Sequence, residues 1–175
     1  MDRGVLANFI IPFAVALMAL AAAQFLLGAF EAEMVGDAAA HYVSGIFIAD
    51  LLRGGLLHPM ERLRDFVGHY PLVGIGHWPP LYYGIEAVWS LVAPFDQKML
   101  VLVAATAALV PATLYALLRP RIGMVPAIFA AAGFVLSPMI LLEATNLMLD
   151  IPVALGCLLA AAAFGVVALG LFWLG

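Results

Sequence analysis

Three short stretches of this chain set acids and histidines at spacings that can do chemistry. In Gly36-Asp37-Ala-Ala-Ala-His41-Tyr42 the carboxylate and the imidazole lie four residues apart, so a helix would put them on one face. Such a pair can take a proton from a hydroxyl or orient it; the plainer use of Asp37 is as a helix N-cap. Gly76-His77-Trp78-Pro79-Pro80 fixes a histidine between glycine and a proline pair. A stiff backbone suits a metal or phosphate ligand there, and the plainer reading is an interfacial, hydrogen-bonded His. The third stretch runs from Glu143 through Asn146 to Asp150-Ile-Pro152, where Asp150 would serve equally as a cap.

These groups matter because the chain spends so little charge elsewhere. Of 175 residues, 66% are hydrophobic and 10% charged, with a mean hydropathy of +1.13. A soluble domain carries about one quarter charged residues, so a water-facing surface could not be covered. Seven Lys and Arg against eleven Asp and Glu, with no basic run, exclude nucleic-acid binding and disorder. Cys157 is the only cysteine and can form no internal disulfide.

The elements that must position the three stretches follow from the apolar runs. A helix needs roughly 20 apolar residues to cross the bilayer, where an unpaired backbone group finds no partner. Four runs qualify, giving spans at about 5–30, 99–118, 122–142 and 151–174. The expected fold is therefore all-α and polytopic, one transmembrane domain over 1–175 with a long external loop at 31–98. Pro111, Pro126 and Pro138 are placed to kink two spans. Ala21-Ala22-Ala23 is a passable signal-peptidase site, but the first apolar run exceeds a signal core, which favours a retained anchor. Arg3 and the Arg119-Pro120-Arg121 turn both belong on the cytoplasmic side. With four crossings, 31–98 and 143–150 then share the other face. Leu81–Phe95 is short and carries Glu86 at its middle, so it reads as an interfacial or re-entrant helix rather than a fifth span.

The external region holds eight of the eleven acids and all four histidines (His41, His58, His69, His77). A connection this long tends to be functional. Apolar steps of three and four predict a helix over Asp37–Leu52, ended by Gly54-Gly55, and a second over Pro59–Val67. From His69 to Pro80 the prolines and glycines forbid continuous helix. That stretch reads as a surface loop, with Tyr70, Trp78, Tyr82, Tyr83 and Trp89 as interfacial aromatics. Arg53, Arg62 and Arg64 are the guanidiniums available outside.

The order of a first span, Gly36-Asp37-Ala-Ala-Ala-His41-Tyr42, then Tyr70-Pro71, Ile75-Gly76-His77-Trp78-Pro79-Pro80-Leu81-Tyr82-Tyr83, then Met148-Leu149-Asp150-Ile151-Pro152, resembles the family-39-type glycosyltransferases of the C-type membrane fold. These include the dolichyl-phosphate-mannose protein mannosyltransferases and the bacterial lipid A aminoarabinose transferases. The resemblance spans nearly the whole chain and about the first third of a usual member. It implies transfer of a sugar from a polyprenyl-phosphate donor to an acceptor hydroxyl on the non-cytoplasmic face of a plasma (inner) membrane, with the N-terminus cytoplasmic. By the same resemblance Asp37 and Asp150 match the catalytic carboxylates, and the His77 neighbourhood matches a divalent-metal ligand of some members. His41, Tyr42, Arg53 and Trp78 are the expected substrate contacts. Ala38 stands where many members carry a second acid, and Trp78 separates His77 from the proline pair. The implied partners are the lipid-linked sugar, the bilayer, and the remaining part of the enzyme or a partner subunit, which would supply acceptor recognition.

Two other classes compete with that reading. One is a non-catalytic membrane subunit or interaction fragment, whose acidic loop only packs on a partner. The other is a small transporter with Glu86 or Glu143 as a proton site, which no inverted repeat supports.

Overall fold

A computed structural model describes the backbone of residues 3–78, 80–94, 96 and 99–174, and the side chains of those between 7 and 165. Pro79, Phe95 and Lys98, which fall in the stretches discussed above, lie outside the described residues. The described chain is helical throughout: α1 (Arg3–Leu26), α2 (Asp37–Arg53), α3 (Pro59–His69), α4 (Leu81–Trp89), α5 (Met99–Ile122), α6 (Met124–Val135), α7 (Pro138–Ala144) and α8 (Asp150–Leu174).

Ala7–Leu26 of α1 and all of α5 are each long and apolar enough to cross a membrane. Helices α6 and α7 make a third crossing if taken as one, because they are bent by 55° at a short break. The break has a local cause. Ser137 is in extended conformation and Pro138 opens α7 at a position whose N–H needs no partner. Helix α8 is apolar over its described side chains, Asp150–Gly165.

The two spans run antiparallel. Near one end, the fully buried Gln24 of α1 donates from Nε2 to the Leu100 carbonyl of α5 (2.7 Å) and the Ala144 carbonyl of α7 (2.6 Å). Near the other end, Ala7, Asn8 and Ile11 of α1 share an apolar groove with Pro111 and Tyr115 of α5 and Ile128 of α6. Between the ends, Ala16, Ala104, Ala107 and Ala108 are buried, and their small side chains bring the helices close. Gln24 thus clips three helices together where lipid would offer its amide nothing.

The connections sort to the two ends accordingly. Residues 27–36, the start of α5 and the link 145–149 lie at the Gln24 end. The turn after α5 lies at the other. That turn is one residue group later than the sequence suggests: Arg119, Pro120 and Arg121 belong to the last turns of α5, and the chain reverses at Gly123 with φ 87°. A left-handed φ there favours glycine.

Helices α2, α3 and α4 fill the 31–98 region. The helix from Asp37 ends at Arg53 with Gly54 as its C-cap, and the second short helix reaches His69. Helix α4 packs on α2 and on the start of α5, in a core of Ala38, Tyr82, Tyr83, Met99, Val103 and Leu147. Tyr82 and Tyr83 are therefore buried rather than interfacial, whereas Tyr70 and Trp78 remain exposed. The tyrosines are buried because α4 lies against protein on this face.

Candidate functional site

The site is built on α2. Gly36, at φ 59°, stands at the N-cap position and no side chain caps the helix, so Asp37 is the first helical residue and not the cap. Its carboxylate is exposed. One turn on, His41 is 2% exposed, and one turn further Ser44 is fully buried. Asp37, His41 and Ser44 form a polar stripe along one face of α2.

Two other elements close on that stripe. From α4, the Tyr83 hydroxyl lies 2.9 Å from His41 Nδ1, and Tyr83 is itself 0% exposed. From the loop before α4, the Gly74 N–H donates to Ser44 Oγ at 2.9 Å. Trp78 sets its ring edge-on to His41, with centroids 5.3 Å apart. Gly74 permits this: a Cβ there would stand 3.2 Å from Trp78 Cδ1. Gly76 at φ 92° then turns the chain, and the Gly74 carbonyl accepts from the His77 and Trp78 N–H groups.

Asp150, the first residue of α8, arrives from across the bundle. His41 feels the negative charge of both Asp37 and Asp150. Burial dominates and lowers the imidazole below its usual range, while the two carboxylates push it back up. Two acids separated by more than a hundred residues thus act on one buried ring. Glu143, on α7, is 8% exposed with Oε2 unpaired, and it too lies within reach of the Asp150 charge. Burial pushes the Tyr83 hydroxyl up to about 12, so it stays protonated at any physiological pH.

The remaining expected contacts fall variously. Tyr42 is half-buried against the core that α2 shares with α4 and the start of α5; burial first, and then the nearby Asp96 charge, raise its hydroxyl. Arg53 does not join the group. It stands sixteen residues after Asp37 on one helix, about 24 Å away at 1.5 Å per residue, and donates to the carbonyl and hydroxyl of Ser90, the C-cap residue of α4. Arg62 is held by the carbonyls of Gly55 and Asp50. The proline-bounded turn delivers Trp78 to the site rather than His77, whose exposed ring packs against Trp78. Among the described residues no three His, Cys, Asp or Glu side chains gather to hold a metal ion.

Tyr83 and Ser44 were hidden from sequence reasoning, although the 37–41–44 polar stripe was a usable signal. A buried polar stripe needs partners, and only the docking of α4 shows what they are. No protein-family model, curated protein or solved structure matches the chain.

Proposed function

We propose that the chain is the N-terminal part of a membrane glycosyltransferase that moves a sugar from a polyprenyl-phosphate donor to an acceptor hydroxyl on the non-cytoplasmic face. The observation that carries this reading is His41, buried between α2 and α4 under the combined charge of Asp37 and Asp150. In the transfer, the acceptor oxygen forms the new bond to the sugar's anomeric carbon and gives its proton to this group. The anomeric carbon–oxygen bond to phosphate breaks, and polyprenyl phosphate leaves with the electron pair. The protein's part is positioning and proton acceptance. Position also supports the reading: a lipid-linked phosphate rides at the bilayer surface, where the Gln24 end of the bundle would lie.

The test is reconstitution of the complete enzyme, this chain together with the remaining part that supplies acceptor recognition, in liposomes with a panel of polyprenyl-phosphate sugars and soluble hydroxyl acceptors. The expected result is appearance of glycosylated acceptor together with free polyprenyl phosphate. One observation favours the second reading, a non-catalytic subunit: among the described residues no cation stands at the acidic group to receive the phosphate. Absence of turnover across the whole panel would side with it.

The reading includes four crossings, with 31–98 and 145–149 together outside. Single cysteines at Val35, Asn146 and Met124 in a Cys157→Ala background examine this directly. An impermeant thiol reagent on intact cells should modify the first two and spare the third. Modification of Val35→Cys without Asn146→Cys would sink the arrangement.

A further inference from the structure

Helices α1, α5 and α6 line a groove of about 490 Å³ at the end of the bundle away from Gln24. Short side chains leave it unfilled: Ala16 and Ala19 of α1, Pro111 of α5, and Ala131 and Ala132 of α6 form its walls. Along α1 it runs from Ala7 to Ala19, which is about 18 Å at 1.5 Å per residue. The hydrocarbon core is about 30 Å thick, so the groove is roughly one leaflet deep. Its polarity is graded. Asn8 and Tyr115 are the polar side chains of the lining and stand toward the outer end, whereas Leu136 lies at the inner one. Charge at the mouth has a single sign. Arg3 opens α1 on this side, Arg119 and Arg121 end α5 there, and α1, α5 and α6 contain no acid. Arg121 donates to the Leu117 carbonyl. Arg119 lies over the Tyr115 ring, 5.9 Å from its centroid, and among the described residues no carboxylate pairs with it. A ring face engages the cation but takes up none of its N–H donors.

We infer that this groove seats one acyl chain of an anionic phospholipid from the leaflet on the arginine side, with the headgroup phosphate against Arg119. Tyr115 joins the two halves of the fit, because its ring is part of the wall and also holds the guanidinium at the mouth. The planar guanidinium matches phosphate, and basic pockets between membrane helices suit anionic headgroups. Length argues against a helix as the occupant, whether from a partner or a second copy. A crossing helix needs contact along about 30 Å, but the groove stops at Leu136, beside the break before α7. Place argues against a polyprenyl-phosphate donor, since His41 and Asp150 lie at the opposite end of the bundle. The inference therefore goes beyond sugar transfer and does not rest on it. A chain seated between α1 and α6 binds only the folded bundle, so it should also stabilise that bundle.

The experiment is native mass spectrometry of the full chain in detergent, titrated with phosphatidylglycerol or with phosphatidylcholine of the same acyl chains. Melting temperature is read on the same samples. The expected result is preferential retention of a single phosphatidylglycerol, together with a higher melting temperature than phosphatidylcholine gives. Arg119→Gln keeps the groove and should bind phosphatidylglycerol about five-fold more weakly, the worth of one cation beside anionic headgroups. Ala132→Phe fills the groove and should lose the adduct. Where that variant does not fold, Arg119→Gln still decides the matter, because Arg119 touches only the Tyr115 ring. Equal retention of the two lipids overturns the inference, as does unchanged phosphatidylglycerol retention in Arg119→Gln. Displacement of the lipid by equimolar polyprenyl phosphate also overturns it and makes the groove a donor seat. A lipid-free dimer that Ala132→Phe abolishes would instead make it a contact between copies. None of these readouts needs turnover, so loss of the transfer reading leaves the result standing.

Discussion

Asp37→Asn is expected to lower transfer by roughly 100-fold while leaving the fold intact. The magnitude is that of weakening a proton-transfer group by removing a charge that supports its protonated form, and the small structural cost follows from location. Asp37 is exposed, and Gly36 rather than Asp37 occupies the cap position of α2. The amide keeps shape and loses charge. His41 then loses one of the two carboxylates that hold its pKa up against burial, so its pKa falls further. The acid limb of the pH–rate profile should therefore move to lower pH even as the plateau drops. Asp150→Asn should shift the limb the same way, because Asp150 acts on the same ring from α8. A titration of His41 by nitrogen-15 shifts reads the displacement without any turnover. If neither variant moves that titration, Asp37 and Asp150 are not the electrostatic environment of His41.

How far this group could be read from residues alone depends on the range of the interaction. Asp37 and His41 are neighbours by helix spacing, a local relation that the sequence displays. Bringing Asp150 to the same end needs only an even number of crossings, which the lengths of the apolar runs suggest. Pro138 similarly marks the break between α6 and α7 in advance. Arg119 and Arg121 suggested a turn because charge leaves the bilayer, yet a helix end tolerates arginines, and backbone conformation placed the reversal at Gly123. Tyr82, Tyr83 and Glu86 were beyond reach for a different reason. Their roles arise only when α4 docks on α2 and α5, and an apolar helix with tyrosines looks the same whether its aromatic face meets headgroups or protein. Arg53 shows the converse. Its residue type fits a phosphate, but helix length alone takes it about 24 Å from Asp37.

Glu86 supplies the largest effect on stability. It is 0% exposed, and both carboxyl oxygens lack a hydrogen-bond partner. Burial raises its pKa from 4.5 to about 8, so the folded protein holds this proton at neutral pH. The sign follows directly. Below pH 4.5 both folded and unfolded chains carry the proton and the group is neutral in its effect. Between pH 4.5 and about 8 the unfolded chain releases it while the folded chain keeps it, so stability falls as pH rises. Above about 8 the loss is complete, on the order of 5 kcal/mol for a shift of this size. Glu86→Gln removes the titration and keeps the shape. The variant should therefore gain on the wild type steadily from pH 5 to 8, read as a widening difference in melting temperature in detergent. His41 titrates with the opposite sense, but it is common to both proteins and cancels in the difference. The charges that face Glu86 do not rescue its ionised form: Tyr82 and Tyr83 are themselves raised, first by burial and then by the Glu86 charge. Ionisation would leave two charged oxygens without donors on the buried face of α4, and α4 is the helix that carries Tyr83 to His41. A melting-temperature difference that stays flat from pH 5 to 8 would show that Glu86 is solvated, and with it that this face of α4 is not buried as described.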